Sequence, residues 1–269
     1  MKIHATGSTG TIGRHFSDDI VPINIRLESE LSSFLKLRYA EDDIVIHAGA
    51  RVGPKKVSAT IQESFKVNVM GTRNLAISAL QSEVTKFVYI STGHVYKFGP
   101  EYLGETELTE PINSYAEQKY LGEREVLDVY RDFPDKVCIL RVFSLLGAGM
   151  PAESLGGAAT RVLQRQPNFH ISNGDDIRDF LTPMQVAKLI VYVAKSPLGV
   201  GVINLCSGVG LKISEAVSTF IGKDERFEIE MLKNLKGGTS ENPRIVGDNT
   251  KIRKLFPELN LQWEHSLQT

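Results

Sequence analysis

Lys2-Ile3-His4-Ala5-Thr6-Gly7-Ser8-Thr9-Gly10-Thr11-Ile12-Gly13 is the stretch whose reading decides the fold. Lys2 to Thr6 reads as a strand, and Gly7, Gly10 and Gly13 follow at the spacing G-x-x-G-x-x-G, opening a short helix. Glycine permits the tight turn and the close approach of backbone to a pyrophosphate, while a helix N-terminus presents N–H donors to it. Gly7, Thr9, Gly10, Thr11, Ile12 and Gly13 are therefore candidates to cradle a dinucleotide. The alternative is an ordinary glycine turn between a strand and a helix.

Outward from this loop, short apolar runs alternate with helical patterns. Val21 to Leu27 reads as a second strand and Ile44 to Ala48 as a compact buried one. Ile61 to Leu80 reads as one long helix, with Phe65, Val69, Leu75 and Leu80 at helical spacing. Lys86 to Ser91 is the next strand, Tyr115 to Tyr130 a helix, and Val137 to Phe143 another strand. Such alternation predicts an α/β fold: a Rossmann-type doubly wound parallel sheet with a small C-terminal substrate-binding lobe. Right-handed crossovers place the strand C-terminal ends, and any ligand, along one edge. The expected core is 1–147 with roughly 180–207. The lobe is 148–179 and 208–269, beginning among Gly147, Gly149, Gly156 and Gly157. A strand pattern at Val202 to Leu205 and a polar loop from Gly237 to Asn242 come later.

Composition excludes several classes. The net charge of −1 over 269 residues points to neither nucleic acid nor an anionic membrane. No apolar run approaches the roughly 20 residues of a membrane span. Met1 leads straight into the first strand, so no signal peptide is expected. Cys138 and Cys206 sit in apolar strand contexts, as buried thiols of a reducing cytoplasm would. No Cys/His cluster has metal-ligand spacing.

The cofactor type turns on the end of the second strand, where a carboxylate suits the ribose of NAD and an arginine the 2′-phosphate of NADP. Arg26 stands there and favours NADP, with NAD still open because Glu28 and Glu30 follow closely. The alternative for Arg26 is a solvated surface charge. Tyr115 and Lys119 lie four apart on one helical face, where an ammonium favours the ionised phenol. Drawn down from about 10 toward neutrality, that phenol exchanges protons usefully. The alternative is a solvated helix pair.

The glycine loop, Asn68-Val69-Met70-Gly71-Thr72-Arg73-Asn74-Leu75, Ile90-Ser91-Thr92-Gly93-His94-Val95-Tyr96, Tyr115-x-x-x-Lys119, Leu140-Arg141-Val142-Phe143 and Arg178-Asp179-Phe180 occur in this order. Together they resemble the extended short-chain dehydrogenase/reductase family, in its nucleotide-sugar epimerase/dehydratase/reductase branch. The second strand and the stretch through Ala48 look most like dTDP-4-dehydrorhamnose reductases. The resemblance implies an oxidoreductase acting on a nucleotide-sugar, with Thr92, Tyr115 and Lys119 catalytic. Thr92 would bond the sugar oxygen, unless it is a strand-end hydroxyl capping a backbone group; Tyr115 would pass the proton, and Lys119 would lower the Tyr115 pKa and hold the nicotinamide ribose. Ala48, Gly49, Ala50, Asn68 and Ser91 would complete the cofactor site; the alternatives are a helix-kinking or capping amide for Asn68 and a structural role on the other side of its strand for Ser91. Gly93-His94 replaces the Asp-Glu pair of the dehydratases, which disfavours 4,6-dehydration and leaves His94 as an acid or a packing residue. Arg178 and Arg244 would clamp the nucleotide diphosphate, unless Arg178 simply pairs with Asp179. His170 and Asn173 are further cleft candidates, and Trp263 reads as core. A 4-keto-sugar reductase is favoured over a 4-epimerase and over a non-catalytic sensor. The resemblance also implies a cytoplasmic homodimer, in polysaccharide biosynthesis.

Overall fold

The computed structural model describes residues 1–163, 173–199, 201–222, 240 and 243–264. His170, and all of the Gly237–Asn242 loop except Ser240, lie outside these residues. Two compact units result: 1–97 with 107–142 and 187–203, and 98–106 with 143–186 and 204–269.

The described strands are β1 (Ile3–Thr6), β2 (Ile20–Pro22), β3 (Ile44–His47), β4 (Lys86–Thr92), β5 (Val137–Val142), β6 (Ser144–Leu145), β7 (Ile177–Leu181), β8 (Gly201–Leu205), β9 (Gly210–Lys212) and β10 (Arg244–Ile245). The helices used below are α1 (Leu31–Phe34), α2 (Pro54–Ala59), α3 (Ile61–Phe65), α4 (Gly71–Gln81) and α5 (Ser114–Val129).

The first unit carries a six-stranded parallel sheet in the order β2-β1-β3-β4-β5-β8. β2 and β3 flank β1 on opposite sides, so the winding reverses at β1. In an open α/β sheet, a ligand crevice forms at the strand C-termini beside such a reversal. β4 and β5 are buried along their whole length, which suits near-continuous apolar strands covered on both faces. Phe34, Val45, Leu75, Phe87, Tyr130 and Ile139 form the core on one face. Each such side chain contributes about 1.5–3 kcal/mol on burial.

Three elements differ from the sequence reading. The second strand stops at Pro22 rather than Leu27. Ile23 N–H still reaches the Ala5 carbonyl at 2.8 Å, but β1 then turns at Gly7 and leaves no backbone to pair with. The helix after the glycine loop is a single 3₁₀ turn, Gly13–His15. The long helix is α3, a π turn over Lys66–Met70, and α4. A π turn inserts a residue and shifts the helical phase. Val69 and Leu75 therefore face inward, whereas Phe65 is 39% exposed.

The second unit holds a sheet in the order β10-β7-β6, with β9 antiparallel to β7. Leu146, Ala159, Phe180, Val217 and Phe220 form its core. Trp263 packs there, its ring 5.8 Å from Phe180 and its Nε1–H donating to the Leu146 carbonyl at 3.1 Å. Among the described residues, no helix is long and apolar enough to cross a membrane. Nor does any group of three His, Cys, Asp or Glu stand ready to hold a metal.

Candidate active site

The loops after β1 and β3 meet backbone to backbone. Gly7 has φ +70°, and a Cβ there would lie 2.7 Å from the Ala48 carbonyl carbon and the Gly49 nitrogen. A Cβ on Gly13 would lie 2.1 Å from the Gly7 oxygen. Gly10 N–H donates to the Gly7 carbonyl at 2.9 Å and closes the turn around Ser8 and Thr9. Thr11 and Ile12 lead from it into the 3₁₀ turn. That turn is too short for an appreciable macrodipole, so any anion held here relies on local N–H groups.

His47, at the end of β3, orders this region and was not singled out from sequence. The Thr72 hydroxyl donates to the Asn68 carbonyl at 2.7 Å, so its oxygen accepts from His47 Nε2–H at 3.0 Å. Nδ1 then accepts from the Thr6 hydroxyl at 2.7 Å, whose oxygen accepts from Gly49 N–H at 3.0 Å. These bonds assign one neutral tautomer. Burial and the nearby Lys119 charge push the His47 pKa down to about 3. A histidine inside an apolar strand was the available signal.

Asn68 sits within the π turn and clamps the loop after Ala50. Its Oδ1 accepts from Arg51 N–H at 2.8 Å; its Nδ2 donates to the Arg51 carbonyl at 3.0 Å and to Gln118 Oε1 at 2.9 Å. Both amide protons are thereby used, and the oxygen keeps one lone pair. It joins the β3 loop to the helix that carries Lys119.

Thr92 ends β4. Its hydroxyl oxygen caps the next turn, accepting from His94 N–H at 3.3 Å, and its own proton stays available to donate. His94 is half-buried. Ser91 points the other way, as strand alternation requires, and its hydroxyl donates to the buried Glu123 carboxylate. Asn113 caps α5 by accepting from Ala116 N–H at 3.0 Å, which sets Tyr115 in the first turn. Gly122 lets α5 settle on β4, since a Cβ there would lie 2.2 Å from the Tyr89 hydroxyl. Lys119 is buried with Nζ 4.0 Å from the Tyr89 ring centroid.

The acid–base balance differs from the expectation that Lys119 lowers the Tyr115 pKa. Burial pushes Tyr115 up to about 12, and it pushes Lys119 down to about 7, with Glu123 opposing the latter. Removal from water favours the neutral form of both groups.

In the second unit, Arg178 and Arg244 lie on paired strands, in register with Ile245 and Ile177 respectively. Arg178 donates to Asp176 Oδ2 at 2.8 Å and to the Ile177 carbonyl at 2.9 Å. Its ion pair is with Asp176, not with Asp179 as considered from sequence. Residues two apart share a strand face; adjacent ones do not. Arg244 donates through Nε to the Glu101 carbonyl at 2.9 Å and lies 5.5 Å from the Tyr102 ring. Asn173 has φ +60° in the turn before β7. Arg26 is exposed in the loop after β2.

Comparison with known proteins follows this geometry. GDP-6-deoxy-D-talose 4-dehydrogenase of Aggregatibacter actinomycetemcomitans is 24% identical over 270 residues, covering 94% of this chain and 90% of that protein. The Thermus thermophilus UDP-glucose 4-epimerase complex with NAD matches with TM-score 0.81 and 20% identity, over 99% of this chain and 96% of that one. RMD from Pseudomonas aeruginosa complexed with NADPH matches with TM-score 0.79 and 21% identity, over 97% and 94%. These structural likenesses bear on the fold alone. The model of the NAD dependent epimerase/dehydratase family matches residues 17–206, more than half of the sequence, and the chain belongs to that family.

Proposed function

We propose that the chain reduces a 4-keto nucleotide-sugar, with NADP(H) preferred and Tyr115 as the proton donor. One observation carries the reading. Thr92, with a hydroxyl proton to give, Tyr115 in the first turn of α5, and the buried Lys119 one turn further on belong to one unit at β4 and α5, beside Gly93-His94 instead of two carboxylates. The cradle that a Cβ at Gly7 or Gly13 would fill suits a dinucleotide diphosphate. The nicotinamide supplies the hydride when bound. Thr92 donates to the sugar oxygen and favours the charge that develops there. Tyr115 delivers its proton to the same oxygen, and the Lys119 ammonium stabilises the phenolate left behind. Arg26 is the proposed 2′-phosphate contact, a reading supported by its exposure beyond β2 and by the NADPH held in the Pseudomonas relative. The 4-dehydrogenase relative supports chemistry at the sugar C4. Arg178 and Arg244 are the proposed diphosphate contacts, with Arg178 exchanging Asp176 for phosphate. A homodimer serving polysaccharide biosynthesis, close to the dehydrorhamnose reductases, completes the proposal.

A 4-epimerase using bound NAD is the second reading, favoured by the likeness to the Thermus epimerase. The test incubates the purified protein with NADPH and a panel of 4-keto nucleotide-sugars while following nicotinamide absorbance. Oxidation with at least one sugar is expected, abolished in Tyr115→Phe with cofactor binding retained. Co-purified NAD and no NADPH oxidation would transfer the assignment to the epimerase. Arg26→Asp is expected to move preference from NADPH toward NADH; an unchanged ratio would remove Arg26 from the cofactor site.

A further inference from the structure

Glu123 is buried in α5, one turn beyond Lys119. Its carboxylate accepts from Arg141 Nε at 3.0 Å and Nη2 at 2.7 Å, and from the Ser91 hydroxyl. Arg141 is itself buried in β5, its guanidinium 4.6 Å from the Tyr96 ring centroid. Such a pair is weak evidence for stability, because desolvating two ions offsets most of their attraction. Its position suggests another use. Residues four apart meet on one helical face, which brings the Glu123 charge beside Lys119. Lys119 has no direct ion pair among the described residues.

Of the other elements packed on α5, α2 brings Lys55 and Lys56, both exposed to water, and the 3₁₀ turn Gly93–Val95 brings the half-buried His94. Tyr115 lies on its own helix, Tyr89 comes from β4, and His47 from β3 is held uncharged. The π turn contributes Asn68, bonded to Gln118. The charges of α4 that reach α5 lie on its exposed side, where Arg73 pairs with Glu125 and Asp128. Arg141 stands behind Glu123. Within the first unit, Glu123 is thus the negative charge placed to support a lysine buried among neutral groups.

We propose that Glu123 and Arg141 are positioning residues that act through Lys119: the Arg141 fork and the Ser91 hydroxyl fix the carboxylate, and the carboxylate keeps the Lys119 ammonium charged. This rests on the proposed role of Lys119 in proton transfer. Because burial alone drives Lys119 toward its neutral amine, loss of the opposing charge disarms it at physiological pH.

The test compares wild type with Glu123→Gln, Arg141→Met and the double variant, using two readouts. One is the pH at which kcat/KM falls as Lys119 loses its proton. The other is the Lys119 titration followed by 15N-lysine NMR in the cofactor-free protein, its signal identified by its loss in Lys119→Arg. Glu123→Gln leaves two cations side by side and is expected to lower the midpoint by about one pH unit. Arg141→Met frees the carboxylate and is expected to raise it. The double variant is expected to fall between Glu123→Gln and wild type. Packing damage alone produces no shifts of opposite sign. Equal or same-direction shifts in the two single variants would overturn the inference. If Arg141→Met does not fold, a double variant titrating no higher than Glu123→Gln would do the same. Absence of reductase activity with the expected NMR order would count against the proposed reaction while supporting the pair.

Discussion

At the scale of single residues, burial decides the protonation of this site more than pairing does. Tyr115, Lys119 and His47 are all drawn toward their neutral forms. For Tyr115 this makes the phenol a weaker acid than in water, so the proposed proton transfer relies on the Lys119 charge to stabilise the phenolate. For His47 it has a consequence for stability. Its folded pKa of about 3 lies below the 6.5 of a free imidazole. Between those values the unfolded chain takes up a proton that the native chain refuses. Its contribution is therefore present above pH 6.5 and lost as pH falls toward 3, at up to about 1.4 kcal/mol per pH unit. Denaturant unfolding at pH 7 and pH 5 tests this. Wild type is expected to lose more stability across that interval than His47→Gln does, and equal losses would refute the buried neutral imidazole.

At the scale of elements, close backbone approach sets how the long helix is used. Gly71 opens α4 directly after the π turn, and a Cβ there would lie 2.3 Å from the Leu27 carbonyl oxygen. Helix propensity favours Gly71→Ala by about 1 kcal/mol. Crowding against a backbone carbonyl costs about 1–3 kcal/mol. The clash wins, so the variant is expected to unfold at lower denaturant concentration; a gain in stability would show that Leu27 yields freely. Such contacts also mark what was legible in the sequence. The strand–glycine loop–helix order, the β4 hydroxyls and the Tyr115/Lys119 spacing are local patterns, and each lies within or beside an element where it was expected. The π turn was not legible, because one inserted residue leaves apolar spacing readable on either side while rotating Phe65 outward. The end of β2 depended on where its partner β1 stops. The Glu123–Arg141 pair joins α5 to β5, although a glutamate four after Lys119 was visible. The Asp176 partner of Arg178 could have been read from strand alternation alone.

At the scale of the whole molecule, the second unit is organised around one carboxylate. Asp179 Oδ1 accepts from Ser207 N–H at 2.7 Å and from the Ser207 hydroxyl at 2.6 Å. Oδ2 accepts from Gly208 N–H at 2.9 Å and Gly247 N–H at 3.3 Å. One side chain thus ties the segment after β8 to the segment after β10. Burial raises its pKa despite these four donors. Raised above the free value, the group binds a proton more readily folded than unfolded. Its contribution therefore weakens as pH climbs from about 3.9 to the folded pKa, and it is least at neutral pH. That sign suggests that a neutral amide in place of the carboxylate would be harmless, but the hydrogen bonds argue otherwise. An amide offers one acceptor oxygen, and its NH2 would face two N–H donors. Two buried donors left unpaired cost about 1–3 kcal/mol each, and little is recovered by removing a charge that four donors already bond. Asp179→Asn is expected to lower unfolding stability at pH 7 by about 2–4 kcal/mol, while dinucleotide binding by the still-folded protein persists. Denaturant titration alongside NADPH fluorescence checks both parts. Wild-type stability in this variant would mean that the segments after β8 and β10 do not depend on the carboxylate.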